Sequence, residues 1–304
     1  MRYYSYNRYL REKFGERVHR ISLDAGFSCP NIDGTLSDTG CIYCNNSAFS
    51  HFTKEKKDIR TQIKESIRFY GQKMNVKRFI AYFQAFSSTY ADIDRLKETY
   101  DIIKEFPQIV GLSISTRPDC VDEEKIAMIA DYAKEYLVWM EYGLQTTHNR
   151  MLEMINRKHS YEDFLSAFTI TKKYDISVGV HMIIGLPGHT RADMLGDAER
   201  IASVGVDGIK FHVLHVLKNT ALEKWYQEGE VSLLTRDAYV GMVCDYVERL
   251  PKETVILRLV STADKECLIA PDWINDRTSV MNAINEELDR RGSYQGAKCV
   301  TRNA

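Results

Sequence analysis

The sequence predicts an α/β fold, a full or partial β/α barrel with a C-terminal extension. Three observations lead there. Strand-like and helix-like runs alternate through residues 20–216, polar residues gather at the C-terminal ends of the strand-like runs, and the glycine fingerprint of a nucleotide-binding sheet is missing after the first of them. Strict alternation of this kind implies a parallel sheet with right-handed crossovers.

The strand-like runs, rich in β-branched and aromatic residues, are 20–27, 78–84, 109–116, 137–145, 176–187 and 208–216. Amphipathic, charge-rich stretches lie between them at 58–73, 92–106, 122–136, 161–175 and 191–205. Gln84, Ser115, Arg117, Glu141, Gln145, His212 and His215 stand at or just past strand ends. Polar groups from many strands converging at one rim is how barrels build active sites, which favours a barrel over an open doubly wound sheet. A last strand-like run, 254–261, and a helix, 278–292, complete or cap it. The expected division is a barrel core over 1–216 and an extension over 217–304, within one structural domain.

The chain has 304 residues, 44% of them apolar, enough for a sizeable core. Lys and Arg number 41 against 42 Asp and Glu, so net charge favours neither nucleic acid nor an acidic membrane. No apolar run approaches the roughly 18 residues of a membrane span, and the N-terminus lacks the apolar core of a signal peptide. A cytoplasmic protein with reduced thiols is expected, and an odd count of seven cysteines agrees. Cys120, Cys244, Cys267 and Cys299 are scattered singly and read as small buried hydrophobes.

Cys29, Cys41 and Cys44 are different, since they share one stretch, CPNIDGTLSDTGCIYC. Three readings are open to them. A zinc site wants four ligands, and His51 is the nearest candidate for a fourth. A redox pair, Cys41 and Cys44, would leave Cys29 without a role. Three thiolates on a cubane iron–sulfur cluster would leave one iron without a protein ligand. The stretch begins two residues after the first strand, at the rim where a barrel carries its chemistry, and this favours the cluster.

The stretch SLDAGFSCPNIDGT…GCIYC, with AYFQAFSSTYA, STRPDC, EYGLQT, HMIIGLPG and FHVLHVLKNT, resembles the radical S-adenosylmethionine superfamily. Within it the chain is similar to the YhcC/YtqA-like subgroup, related to the catalytic subunit of elongator, from about residue 5 to 296. The superfamily's commonest spacing is C-x3-C-x2-C, whereas this chain has C-x11-C-x2-C, a departure that narrows the match. The resemblance implies a (β/α)6-type barrel, a [4Fe–4S] cluster on Cys29, Cys41 and Cys44, and S-adenosylmethionine bound at the open iron. One electron, from a flavodoxin- or ferredoxin-type donor, then cleaves the cofactor to a 5′-deoxyadenosyl radical.

By the same resemblance Tyr43 lies beside the adenine, Gln84 anchors the methionine amine, and Arg157 pairs with its carboxylate. Loop packing, a loop cap and a solvated basic turn are the plainer roles open to these three. Ser115 and Gln145 join the cofactor set, and Gly185 in IIGLPG allows close backbone approach, although a plain turn explains it too. Glu141, Gly143 and Gln145 share one face of a strand, the barrel interior if Val138, Met140 and Tyr142 face the helices. A carboxylate there needs partners, which the ribose or the cofactor amine would supply in preference to a structural ion pair. Arg117, Lys210, His212 and His215 are expected to face substrate.

The related families act largely on RNA, and the subgroup implies tRNA. The expected change is conversion of wobble 5-carboxymethylaminomethyl-(2-thio)uridine to its 5-aminomethyl form. RYYSYNRYLREKFGERVHR, basic and aromatic, suits RNA contact or a cover for the barrel's bottom equally. A radical enzyme acting on a peptide or small metabolite, and a zinc-stabilised RNA-binding barrel without catalysis, are the rival readings. Oligomeric state is left open.

Overall fold

In the computed structural model, which describes residues 2–45 and 57–300, parallel strands pair in an order that follows the chain. They are β1 (Val18–Leu23), β2 (Arg78–Phe83), β3 (Ile109–Thr116), β4 (Leu137–Gln145), β5 (Ser177–Ile184) and β6 (Gly208–Val213). After a short β7 (Val216–Leu217), β8 (Val255–Arg258) returns to pair with β6 as the seventh strand, while β7 pairs antiparallel with β9 (Leu268–Ala270). A doubly wound sheet reverses its strand order part-way; this one does not.

Helix α1 (Tyr6–Phe14) precedes β1, and α2 (Ile59–Met74), α3 (Ile93–Asp101) and α4 (Glu123–Ala130) follow the first three strands. A short α5 (Asn149–Met154) and α6 (Tyr161–Lys172) follow β4, and α7 (Arg191–Val204) follows β5. Helices α8 (Ala221–Gln227) and α9 (Arg236–Arg249) separate β7 from β8, and α10 (Arg277–Arg290) comes last. Starts are set by side-chain caps. Asp58, Asp92 and Asp122 each accept a backbone N–H three residues on, and Ser160–Asp163 and Thr190–Asp193 form reciprocal capping boxes.

The sheet is curled into a half-barrel, and its inward side chains show this. In a flat sheet, β1 and β4 would stand three strand spacings apart, about 14 Å. Arg20 on β1 nevertheless donates to Glu141 on β4 at 2.6 Å. Lys210 on β6 reaches the Tyr82 hydroxyl on β2 at 2.5 Å, four strands away. Only strong curvature brings such side chains together. The outward face, with Val138, Met140 and Tyr142 as expected, packs against the helices as the main hydrophobic core.

The two sheet edges, β1 and β8, are not paired with each other. The N-terminal segment lies against β8, where the Ile256 N–H donates to the Tyr4 carbonyl at 2.8 Å. The bottom of the barrel is filled by Trp139, with Tyr6 and Tyr9 edge-on at 6.0 and 5.6 Å and Leu10, Ile80, Val255 and Leu257 alongside. Gly208 is required here, because a β-carbon on it would lie 2.8 Å from the Trp139 ring. The basic, aromatic N-terminus therefore spends Tyr6 and Tyr9 on covering the barrel, the plainer of its two readings.

Strand-like runs at 109–116 and 137–145 match β3 and β4 end to end, and 254–261 supplies β8. Helices α8 and α9 and the β7–β9 pair were not expected. Cys120 and Cys244 are buried as anticipated, whereas Cys267 and Cys299 are only half-buried. Among the described residues no helix is long and apolar enough to cross a membrane.

Because Trp139 is 1% exposed and fills the barrel floor, Trp139→Ala is expected to destabilise the protein by about 3–5 kcal/mol. Urea unfolding measures this; a loss below about 1 kcal/mol would show that the floor is not a packed unit.

Candidate active site

The loop after β1 returns the chain to its own start. The Leu36 N–H donates to the Pro30 carbonyl at 2.7 Å, and the Gly40 N–H to the Asn31 carbonyl at 2.8 Å. These closures bring Cys41 back beside Cys29, while the Cys44 N–H donates to the Cys41 carbonyl at 3.0 Å. Gly40 has φ 72°, and a β-carbon there would meet Ile32 at 2.9 Å, so glycine is needed for the return. Two asparagines tie the loop to the chain after α5. Asn31 Nδ2 donates to the Asn156 carbonyl and Asn156 Nδ2 to the Gly40 carbonyl, both at 2.7 Å.

Cys41 is buried, and Cys29 and Cys44 are half-buried. Burial, then Cys41 and Cys29 nearby, push the Cys44 thiol up to about 12. Asn31 Nδ2 at 3.3 Å and the buried Arg157 Nη1 at 3.5 Å both donate to Cys41 Sγ. Grouped thiols with an adjacent guanidinium suit a metal-bearing group that takes them as thiolates. Among the described residues, the one set of three ligand atoms lying within 4.8 Å of one another is His148, His189 and Asp197, so the three sulfurs are spread wider. His51, the suggested fourth zinc ligand, lies outside the described residues.

His148, His189 and Asp197 were not anticipated. Asp197 Oδ1 accepts from the Thr147 N–H at 2.7 Å and from the hydroxyls of Thr146 and Thr147, which ties the loop after β4 to α7. His189 Nε2 lies 3.5 Å from the other oxygen, and burial lowers its pKa. Asp197 Oδ1 is thus committed to loop anchoring, while its buried Oδ2 and both His189 ring nitrogens make no hydrogen bond.

Above the barrel floor, a cavity of about 120 Å³ opens at the C-terminal mouth. Tyr43, Gln84, Ser115 and Gln145 line it, as do Lys210, His212 and His215. His181 and Arg258 line it too, although neither was expected. Gln145 turns inward at a register shift in β4, with φ 77°. Gln84 is held by the Ser22 hydroxyl, which donates to it at 2.9 Å.

These positions correct the expected partners of Glu141 and give the surroundings of Arg117 and Gly185. Arg117 does not line the cavity: it is 1% exposed and pairs with Asp119 at 2.6 Å. Gly185, at φ 88°, is approached by the Leu234 side chain, within 2.9 Å of where a β-carbon would be. Its freedom serves packing of the extension. Glu141 finds its partners in the protein. Arg20 and Ser113 donate to Oε1 at 2.6 and 2.7 Å, and His181 and Lys210 to Oε2 at 2.8 and 3.0 Å.

The electrostatics follow from that cluster. Burial opposes ionisation of Glu141, but Lys210, Arg20 and the His181 hydrogen bond hold its carboxyl well below the usual range. Burial also pushes Lys210 well below an ordinary lysine, with Glu141 pulling the other way. His181 is driven down to about 3 by burial and by Lys210, so it is neutral and donates Nε2–H to the carboxylate. Arg157 Nη2 donates to the Gly143 carbonyl at 2.7 Å, against a glycine that leaves no room for a side chain.

Comparison with known proteins bears on this rim of cysteines over a polar cavity. The model of the Radical SAM superfamily matches residues 37–201, and that of the Radical_SAM C-terminal domain matches 206–290. The chain belongs to the radical SAM superfamily. It is 38% identical to YtqA of Bacillus subtilis over 97% of this chain and 92% of that one. To YhcC of Escherichia coli it is 33% identical, over 93% and 91%. A tRNA uridine(34) acetyltransferase of Dehalococcoides mccartyi is 24% identical over 63% of this chain and 40% of its own length. Among solved structures, the archaeal Elp3 of Methanocaldococcus infernus superposes with a TM-score of 0.64 at 15% identity. That match covers 91% of this chain and 64% of Elp3, and it shows the shared fold. The protein is thus a radical SAM enzyme, of a family that uses S-adenosylmethionine with iron–sulfur chemistry.

Removing one charge from the radical SAM barrel's central cluster is expected to be costly. Glu141→Gln leaves Arg20 and Lys210 without a counter-charge, and a loss of about 3–5 kcal/mol is expected at neutral pH. The folded carboxyl is depressed, so its contribution is complete above the ordinary glutamate pKa of about 4.3 and is lost as pH falls through the folded value. Urea titrations of both proteins should show the gap closing on acidification; a gap independent of pH would contradict the assignment.

Proposed function

We propose that the protein carries a [4Fe–4S] cluster on Cys29, Cys41 and Cys44, and that it modifies the wobble uridine of tRNA. The observation that carries the first part is the closed loop that brings three thiols to the mouth of a polar cavity. The second part is supported by likeness to enzymes named for tRNA uridine(34) chemistry. When bound, the cluster and S-adenosylmethionine supply a 5′-deoxyadenosyl radical able to abstract hydrogen from a substrate.

The chain's own residues then have plain tasks. Arg157 sits beside Cys41 with a positive charge suited to a carboxylate of the cofactor. Tyr43, packed against the small apolar cluster that includes Ile42 and Met151, lines the cavity. Gln84, Ser115 and Gln145 offer neutral donors and acceptors along one wall, and His212 and His215 polar groups along another. Walls that are this closely packed exclude water from a reactive species. The substrate reading is conversion of 5-carboxymethylaminomethyluridine, or its 2-thio form, to the 5-aminomethyl nucleoside. A flavodoxin- or ferredoxin-type protein would deliver the electron.

Two measurements test this. A deletion strain should accumulate the carboxymethylaminomethyl nucleoside at the expense of the aminomethyl form in digested tRNA; an unchanged nucleoside profile would sink the substrate reading. Anaerobically prepared Cys41→Ala protein should keep its circular dichroism spectrum, lose most of its iron, and form no 5′-deoxyadenosine. Formation at the wild-type rate would refute the cluster assignment.

A further inference from the structure

Strand β8 carries an anomaly. Its register against β6 shifts between Ile209 and Lys210, so that Ile209 faces Ile256 but Lys210 faces Arg258. The extra residue is Leu257. An unbroken strand would send adjacent side chains to opposite faces. Here Leu257 packs inward on Trp139 and Arg258 also enters the barrel, lining the cavity. Bulges that re-aim one side chain are a recurring device beside active sites.

A guanidinium brought indoors this way calls for a counter-charge, and Glu141, the carboxylate that acts on it, is already engaged. Glu141 has both oxygens taken by Arg20, Ser113, His181 and Lys210. Among the described residues Arg258 makes no ion pair. Its Nη2 donates to the His212 imidazole at 2.8 Å, and its buried Nε has no hydrogen-bond partner. The cavity wall thus holds more positive charge than the protein neutralises, with one directed donor unused. Burial, with Arg20 nearby, brings Arg258 down to about 10, still protonated at neutral pH.

We infer that Arg258, positioned by His212 and backed by Lys210, is the receptor for a carboxylate on the substrate. The assignment rests on the wobble-uridine reading only for the identity of that carboxylate, which would be the one on the carboxymethylaminomethyl arm. A guanidinium fork matches a carboxylate in shape and charge.

The test uses the full chain, anaerobic and reconstituted, with two synthetic anticodon stem-loop RNAs. One carries 5-carboxymethylaminomethyluridine and the other its neutral carboxamide. The wild type should bind the acid roughly tenfold or more tightly than the amide. Arg258→Gln should reduce that preference to about twofold or less with an unchanged circular dichroism spectrum, while Arg258→Lys keeps part of it. An undiminished preference in Arg258→Gln would overturn the inference. So would weakened S-adenosylmethionine binding with the preference intact, since the anion would then be the cofactor's. If the wild type binds neither RNA, the wobble-uridine reading fails by itself. The receptor is then judged by the thermal midpoint in sodium acetate against acetamide. A rise with acetate that Arg258→Gln abolishes supports it, and equal behaviour of the two proteins rejects it.

Discussion

One buried carboxylate holds the half-barrel to its curvature. Glu141 of β4 is approached by Arg20 of β1, Ser113 of β3, His181 of β5 and Lys210 of β6, and Lys210 also binds Tyr82 of β2. Six consecutive strands therefore meet through side chains at one height. Hydrogen bonds along a sheet join only neighbours, and they set no radius of curvature. A charge that must be shared by strands two and three apart does. Burying Glu141 at 1% exposure would be prohibitive without these donors, so curvature and charge burial enforce each other.

The cluster also separates two environments. Below it lies an apolar floor of Trp139, Leu257 and the N-terminal tyrosines, and above it a cavity with polar walls beneath the cysteine loop. A layer that satisfies its own hydrogen bonds makes a firm base for the mouth. It leaves the cavity net positive as well, since Glu141 is spent on Arg20 and Lys210 while Arg258 stays unpaired. Binding anions and staying curved thus draw on the same set of residues.

Much of this was legible in the residues. Alternation over 137–145 gave β4 its ends and its inward face, because side chains on a strand have a fixed period of two. The amphipathic, charge-rich stretches gave helix starts to within a residue or so. The long α9 was missed because Tyr239, Val240, Met242 to Glu248 are all buried, which erases the polar stripe that betrays a surface helix. Arg258 was missed for a related reason. Its inward direction depends on a bulge against β6, and a bulge is a property of two strands, invisible in either one. Arg20 and His181 were readable as strand residues, but nothing local says that both would converge on Glu141. The pairing of Arg117 has a local cause, since Asp119 two residues on takes its Nε and Nη2 and leaves the buried Nη1 without a partner.

The extension beyond residue 216 therefore cannot be an appendage. It contributes β8, which lengthens the curled sheet; Leu257, which completes the floor; and Leu234, which packs on Gly185 at the rim. A barrel ending at β6 would leave Lys210 and His212 on an open edge, where water would screen Lys210 from Glu141 and weaken the contact that curves the sheet. The last strand is also the one whose irregular register admits Arg258 to the cavity. Closure and specificity reside in the same four residues, Val255 to Arg258. A substitution there that straightens the bulge would return Arg258 to the helix face and Leu257 alone to the interior, so the cavity would lose its unpaired charge while the sheet kept its seventh strand.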